Sequence, residues 1–542
     1  MTVANIVHRI QCLKPIWLLP VLAALPSVCS CSSSASPPPA VTTPGMDAGD
    51  DASTQGSAIL VTPTAANVLT CDTLQLTGTG GSGAGTWTVS PTGEGTVTST
   101  GLYAAPNAAP TNPAVTVTYG AGGSTASAQL QVATAFLGAP APLPINAGTE
   151  DTSLSRFTAN GSRVYVGLVA STSSASGSPY LETDIFASSD DGATFTGPVP
   201  YHTGDLECET VAVDSGNANV VYLVYLAGNG DSTSNTGETL RLAVSTDGAK
   251  TFPTEYDLAE GDSSLASFIC PDVISPSPGH VIVSGYSSLM ADGSTDHLAT
   301  FVSSSQGAGI GPVVQQGVTS SMMDCDCEVG NDSNPTPVPN CNIYSNGGGG
   351  GPQLIANGNG GACVVFQYGP CDDATRAYNI GVQCSQDSGA TWSAVTLLGV
   401  PDTDNSVTPT GALSPGGKVA VTWYGKVPVD AGGGFDTYVA VSSDGGKTFS
   451  VAAPYPNSVV GEPTGQVVAW ENDTVLWLAQ VTTDNAKNLY VDKTCDDGTT
   501  WSGAVKVGTG GYTGDSLVLT SAGMTAVAVL PEAISTFSLA PQ

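Results

Sequence analysis

The chain has 542 residues, too many for one ordinary domain, with 66 Gly, 37 Pro and only 11% charged residues, the composition of an exported β protein. Its formal net charge is −33. A surface of that sign repels nucleic acid and anionic membranes, which excludes both as direct partners, and suits a cation or a neutral or basic ligand.

The N-terminus predicts an address. Arg9 and Lys14 precede the apolar run Ile16-Trp-Leu-Leu-Pro-Val-Leu-Ala-Ala-Leu25, too short for a typical transmembrane helix and of the length of a signal-peptide core. Val28-Cys29-Ser30-Cys31 resembles a bacterial lipobox, with Ser30 as the small residue before a lipidated Cys31; a secretory signal cut nearby is the alternative. Residues 1–30 are thus expected to be a lipoprotein signal peptide. Residues 31–57, rich in Ser and Pro and then in small and acidic residues, have nothing to build a core with and form a disordered tether. The expected product is an exported, membrane-anchored bacterial lipoprotein at the cell surface or in the periplasm, touching the membrane through its lipid alone.

Residues 58–133 alternate in short stretches such as Thr86-Trp-Thr-Val-Ser90 and Ala114-Val-Thr-Val-Thr-Tyr119, separated by Gly, Ser and Pro, which predicts a small β-sandwich. The Trp87 strand followed by Gly101-Leu-Tyr103-Ala-Ala-Pro106 resembles a bacterial Ig-like module, for which the expected role is a spacer. Cys71 has no second cysteine within the module, so it is either free or tied to one of the nine cysteines further on.

Residues 134–542 repeat. Ser188-Ser-Asp190-Asp-Gly192-Ala-Thr194-Phe195 recurs from Ser245, Ser385, Ser442 and Thr494 as S/T-x-D-x-G-x-T-W/F, with aspartates at Asp247, Asp387, Asp444 and Asp496. The copy at Ser245 has Gly248 one place early and Ala249 where Gly is expected, and a degenerate copy begins at Ser303. Such a run between β-rich stretches is a hairpin turn: Asp and Ser oxygens accept turn amides, Gly takes positive φ, and the closing aromatic packs the turn onto its sheet. These aspartates are therefore read as structural. A period of about 55 residues, with an apolar ladder in step (Val220-Val-Tyr-Leu-Val-Tyr225, Lys418-Val-Ala-Val-Thr-Trp-Tyr424), indicates an all-β propeller. The ladder has seven members, so seven blades are expected, with six as the alternative. The last unit has only three candidate strands, and Phe136-Leu-Gly-Ala-Pro-Ala-Pro-Leu143 is the expected fourth. The repeats resemble the BNR or Asp-box repeat of sialidase-like β-propellers.

Ten cysteines follow the anchor region, which predicts disulfides; several crowd between Cys325 and Cys384, so the insertion there is expected to be stapled, and no His lies close enough for a common zinc pattern. The sialidase resemblance implies an arginine triad around a substrate carboxylate. After the signal only Arg156, Arg163, Arg241 and Arg376 remain, with none later, so the triad is incomplete and true exo-sialidase activity is not expected. Acidic residues at the starts of the innermost strands, Glu209, Asp272, Glu462 and Asp515, are the candidate ring at the channel mouth, with Arg156 and Arg376 as further ligand candidates. Converging carboxylates can bind a cation such as calcium or, with split pKa values, act as an acid/base pair. Neutralising Asp272 or Glu462 is expected to weaken binding while leaving folding nearly intact. The insertion from about Met322 to Gly351 is the second candidate surface. The expected function is non-catalytic binding of carbohydrate or a surface protein, the alternative being a glycoside hydrolase that uses the channel carboxylates.

Overall fold

The computed structural model describes residues 57–145, 151–173, 179–201, 206–227, 239–260, 266–288, 297–313, 352–368, 379–398, 406–426, 435–456, 463–482, 488–508, 514–530 and 533–539. No helix occurs among them. Val221–Ala227 and Leu476–Thr482 are buried at every position, which accounts for their unbroken apolar sequence: second strands are covered on both faces by neighbouring sheets. Each fully buried Val or Leu contributes about 1.5–3 kcal/mol relative to exposure.

Among the described residues, seven four-stranded antiparallel sheets lie between Ala141 and Ser538. The first runs outward through Asp151–Asn160, Arg163–Ser173, Pro179–Ser188 and Thr196–Tyr201. The inner strands of the second to seventh are Leu206–Val213, Ala266–Ile274, Gln353–Ala356, Ser406–Leu413, Pro463–Trp470 and Gly514–Thr520. Each inner strand contacts the next, and Gly514–Thr520 contacts Asp151–Asn160, so the ring closes as a β-propeller. The seventh sheet takes its outer strand from before the first: Ala141 and Pro142 pair with Thr536 and Ser535, and the Leu143 amide donates to Ile534 O at 2.9 Å. Leu143 is then buried with Phe157, Val166, Val527 and Ile534.

The aspartate turns join third to fourth strands with one internal geometry. In the first, Ser188 Oγ donates to Asp190 Oδ1 (2.7 Å) and accepts from Gly192 N (3.0 Å), while Thr194 donates its amide to Asp190 Oδ1 (2.9 Å) and its hydroxyl to Oδ2 (2.6 Å). The backbone and hydroxyl bonds from Thr251, with that from Ser245, hold the Asp247 carboxyl down to about 2. Such a depressed carboxylate contributes stability above its unfolded value that is lost as pH falls through the folded one. The fourth and fifth positions of every copy have positive φ, as in Asp191 (60°) and Gly192 (81°), or Ser388 (58°) and Gly389 (87°). The degenerate copy keeps this backbone at Gln306 (55°) and Gly307 (90°), because Ser303 Oγ still accepts from Gly307 N (3.1 Å) and donates to Ala308 O (2.8 Å) where the others use Asp. In the displaced copy Gly248 (78°) and Ala249 (63°) occupy the same two positions, so the alanine takes a left-handed conformation that costs about 1–2 kcal/mol.

Residues 58–133 form a β-sandwich. Thr86–Ser90, Ala114–Ala121, Ser124–Ala133 and Ala65–Leu69 make its larger sheet, facing Thr73–Gln75, Leu102–Ala104 and Thr96–Val97, over a core that includes Leu76, Tyr103, Val115, Val117 and Leu130. The sandwich is fastened to the sixth propeller sheet. Cys71 is bonded to Cys495 of the last aspartate turn, which answers the question of its partner. Ala109 N donates to Ser502 O (2.7 Å), Thr134 Oγ1 donates to Gly503 O (2.9 Å), and Leu69 and Ala135 share a core with Trp477, Val491 and Leu539. The other disulfide among the described residues, Cys363–Cys384, joins directly opposed positions of the fourth sheet, so that pair reinforces a sheet rather than the insertion. The signal, Cys31, the tether up to Gly56 and the insertion at 322–351 lie outside the described residues.

Lys493 sits beneath this junction with 0% exposure, its Nζ 5.0 Å from the centre of the Trp477 ring and, among the described residues, without a hydrogen-bond partner. Burial pushes its pKa below 10.5, while Asp72, Glu471 and Asp492 push it up. Burial likewise pushes Asp72 up, against the pull of Lys493. A lysine depressed in the folded state contributes stability that is complete above its unfolded value and is lost as pH falls through the folded one.

Two measurements check this account. A Cβ on Gly389 would lie 2.6 Å from Ile282 Cδ1, whereas one on Gly498 would meet nothing within 4 Å. Gly498→Ala is expected to cost about 1–2 kcal/mol from φ alone, and Gly389→Ala about 1–3 kcal/mol more from overpacking, read by denaturant unfolding; equal costs would refute the close approach. Lys493→Met removes an ammonium whose desolvation outweighs the pull of its acidic neighbours and is expected to raise the unfolding free energy at pH 7. The parent's gain in unfolding free energy between pH 7 and 10.5 is expected to shrink in that variant.

Candidate ligand-binding channel

The inner strands surround a channel, and three of them carry a β-bulge at the residues singled out from the sequence. Register shifts fall between Leu154 and Arg156, between Glu207 and Thr210, and between Ile269 and Asp272. A bulge breaks the alternation of faces and re-aims the side chains beside it.

Arg156, on the first sheet, reaches across to the third and fourth. Its Nη1 forms an ion pair with Asp272 and donates to Val273 O (3.1 Å), and its Nη2 donates to Leu354 O (3.0 Å). Asp272 Oδ1 also accepts from Val273 N (2.7 Å), and Oδ2 accepts from Leu354 N (2.8 Å). Both oxygens of this carboxylate are thus filled by donors from three sheets. The expectation that Asp272 can be neutralised without cost to folding is corrected by this geometry, because the side chain is a structural clamp.

Glu209 serves another seam. It is 2% exposed and bonded to Thr183 of the first sheet. Burial pushes its carboxyl above the usual range, while the bonds from Thr183 and from its own amide pull it down. Glu209 and Asp272 are therefore engaged with different partners. Glu462 and Arg376 lie outside the described residues; Asp515 is on the inner strand Gly514–Thr520, with its side chain outside them. Arg241 pairs with Asp257 (2.7 Å) at a half-exposed position on the third strand of its sheet. Among the described residues no group of three or more His, Cys, Asp or Glu could hold a metal ion, so the calcium expectation has no ligand set there.

At one end of the channel is a cavity of about 390 Å³, within the range of small-molecule sites. This is the end that carries the aspartate turns, which hydrogen-bond to the first hairpin of their own sheets: Asp191 N to Ser162 O (3.0 Å), Gly248 N to Asn219 O (2.9 Å) and Ser388 N to Gly360 O (2.9 Å). Arg156, Asn160, Ser275 and Asn357 supply polar groups to its wall, and Ile274, Leu413, Trp470 and Leu519 supply apolar ones. Asn160 Nδ2 donates to Asp214 O (2.7 Å) and Ser215 O (3.1 Å). Asn357 Oδ1 accepts from Asn359 N (2.9 Å) and Gly361 N (3.0 Å). Beside them the buried Asp214 caps its own turn through Gly216 N and Asn217 N (both 2.9 Å) and crosses to Gly279 N (2.8 Å) of the third sheet. Of the polar groups in this wall the sequence singles out Arg156 alone; for Asn160 and Asn357 the available signals are the Asn-Gly pairs at 160–161 and 357–358, which mark hairpin turns but do not say that the turns converge.

No protein-family model matches the chain, and no curated protein sequence matches it either. Solved structures similar in fold include an ulvan lyase, a polysaccharide lyase (12% identity, TM-score 0.45, covering 73% of this chain and 96% of that one). They also include an α-L-arabinanase of Penicillium chrysogenum complexed with arabinobiose (12%, 0.39, 73% and 91%) and a Hadza microbial sialidase (14%, 0.39, 67% and 73%). These values give no correspondence of individual site residues.

Asp272→Ala would strand the Arg156 guanidinium, which is 21% exposed, without its counter-charge. The expected cost is about 3–5 kcal/mol, and the double variant Asp272→Ala/Arg156→Met is expected to cost less than the sum of the two single variants. Additive losses would show that the pair does not clamp the channel.

Proposed function

We propose that the protein is an exported, lipid-anchored surface protein whose propeller binds carbohydrate without hydrolysing it. The observation that carries this reading is the clamp. Most glycoside hydrolases work with a pair of carboxyl groups, one of them the proton donor, and Asp272, one of the four candidates for that work, has both oxygens committed to Arg156, Val273 and Leu354. Glu209 is spent in a buried seam. Pre-organised polar groups around a concave, partly apolar site favour binding instead. The likeness of the turns to the Asp-box and of residues 58–133 to an Ig-like module supports an extracellular setting, as does the lipobox-like Val28-Cys29-Ser30-Cys31. In that setting the sandwich, bonded to the propeller through Cys71 and Cys495, holds it in one orientation relative to itself.

A glycan array probed with the mature protein, followed by a hydrolysis screen on every glycan retained, tests this. Retention with no release of new reducing ends is the expected outcome. Turnover of a bound glycan would replace the reading with a hydrolase.

A further inference from the structure

We propose that the cavity at the aspartate-turn end of the channel is a binding site for a neutral pyranose, its wall resting on the Arg156–Asp272 clamp rather than on free carboxylates. Its composition is unlike that of the molecule. The chain has 46 Asp and Glu, yet among the described residues none lines this cavity, and Arg156 is the one charged residue there that does. That charge is already matched by Asp272, so the site is neutral overall. Among the described residues a cation finds no carboxylate in the wall, and an anion finds a compensated guanidinium inside a chain of net charge −33.

What the wall offers is a set of hydrogen-bonding groups fixed from behind. A guanidinium has five N–H donors, and three bonds to Asp272, Val273 and Leu354 leave donors for a ligand. The Oδ1 of Asn357 is held by two turn amides, which sets its NH₂ as a donor; both bonds of Asn160 Nδ2 go to backbone carbonyls, which leaves its Oδ1 as an acceptor. Ile274, Leu413 and Leu519, with Trp470, supply apolar surface beside them. A ring with hydroxyl groups around its edge and C–H groups on its faces matches donors, acceptor and apolar wall together. Because these groups are locked in the unliganded protein, little ordering entropy opposes binding.

The inference takes from the proposed function only its choice of sugar probes, and the test separates the two. Saturation-transfer NMR on the mature protein would compare glucose, galactose, mannose and N-acetylglucosamine with glucuronate. At least one neutral sugar is expected to show transfer and glucuronate to show less. Asn357→Asp keeps the oxygen that caps the turn and deletes the donor, and is expected to weaken that sugar by about tenfold, the equivalent of one lost hydrogen bond, with the unfolding midpoint unchanged. Ala356→Phe fills the cavity and is expected to abolish the signal; if it does not fold, Asn357→Asp decides. Absence of transfer from every neutral sugar, stronger transfer from glucuronate, or unchanged binding in Asn357→Asp would overturn the proposal. Array glycans retained equally by parent and Asn357→Asp would leave the binding function standing and remove this site from it.

Discussion

A ring of sheets is only as stable as its last seam, and here that seam depends on a short antiparallel pairing between the two ends of the propeller. Gly514–Thr520, Gly523–Leu530 and Ala533–Ser538 make three strands of the seventh sheet, and Ala141–Pro142 makes the fourth. The pairing covers an edge that would otherwise present unpaired amides and carbonyls, and it brings Leu143 onto the core shared by the seventh and first sheets. The chain must therefore return to the place where the propeller began before that core is complete. Further in, Gly514–Thr520 contacts Asp151–Asn160, so every inner strand has a neighbour on both sides.

Inside the ring, charge is used for construction. The Arg156–Asp272 pair ties the first, third and fourth sheets across the channel, a span that neighbouring sheets cannot bridge by packing alone. Asp214 ties the second sheet to the third through Gly279 N. A buried ion pair of this kind adds little to stability compared with an apolar substitute, but removing one partner is costly; its value is in fixing which sheets face one another. The polar wall of the cavity draws on the same turns, because Asn160 is oriented by carbonyls of the neighbouring hairpin and Asn357 by amides of its own.

The sandwich belongs to the same unit. A spacer would be expected to meet the propeller through a linker, whereas the disulfide to Cys495, the backbone bond from Ala109 and the shared core around Trp477 place the two in one compact body. The last aspartate turn thus has a second use, since Cys495 lies between Thr494 and Asp496 in the motif. Its carboxylate also accepts a bond from Asn107 of the sandwich (3.5 Å).

The sequence by itself determined the local structure: the turns, because Ser, Asp, Gly and Thr at fixed offsets satisfy one another within eight residues, and the buried second strands, because both faces of a strand inside a propeller need apolar side chains. It also showed that the last unit lacks a strand and that residues near Phe136 resemble the ones that supply it elsewhere. Only the tertiary structure decided what the candidate acids do. Arg156 and Asp272 are 116 residues apart, Cys71 and Cys495 are 424 apart, and nothing periodic links such pairs. The bulges beside Arg156, Glu209 and Asp272 add a further reason: a residue's face can be read from alternation only while the register holds, and at these three positions one extra residue redirects the side chain toward partners that exist only once the ring has closed.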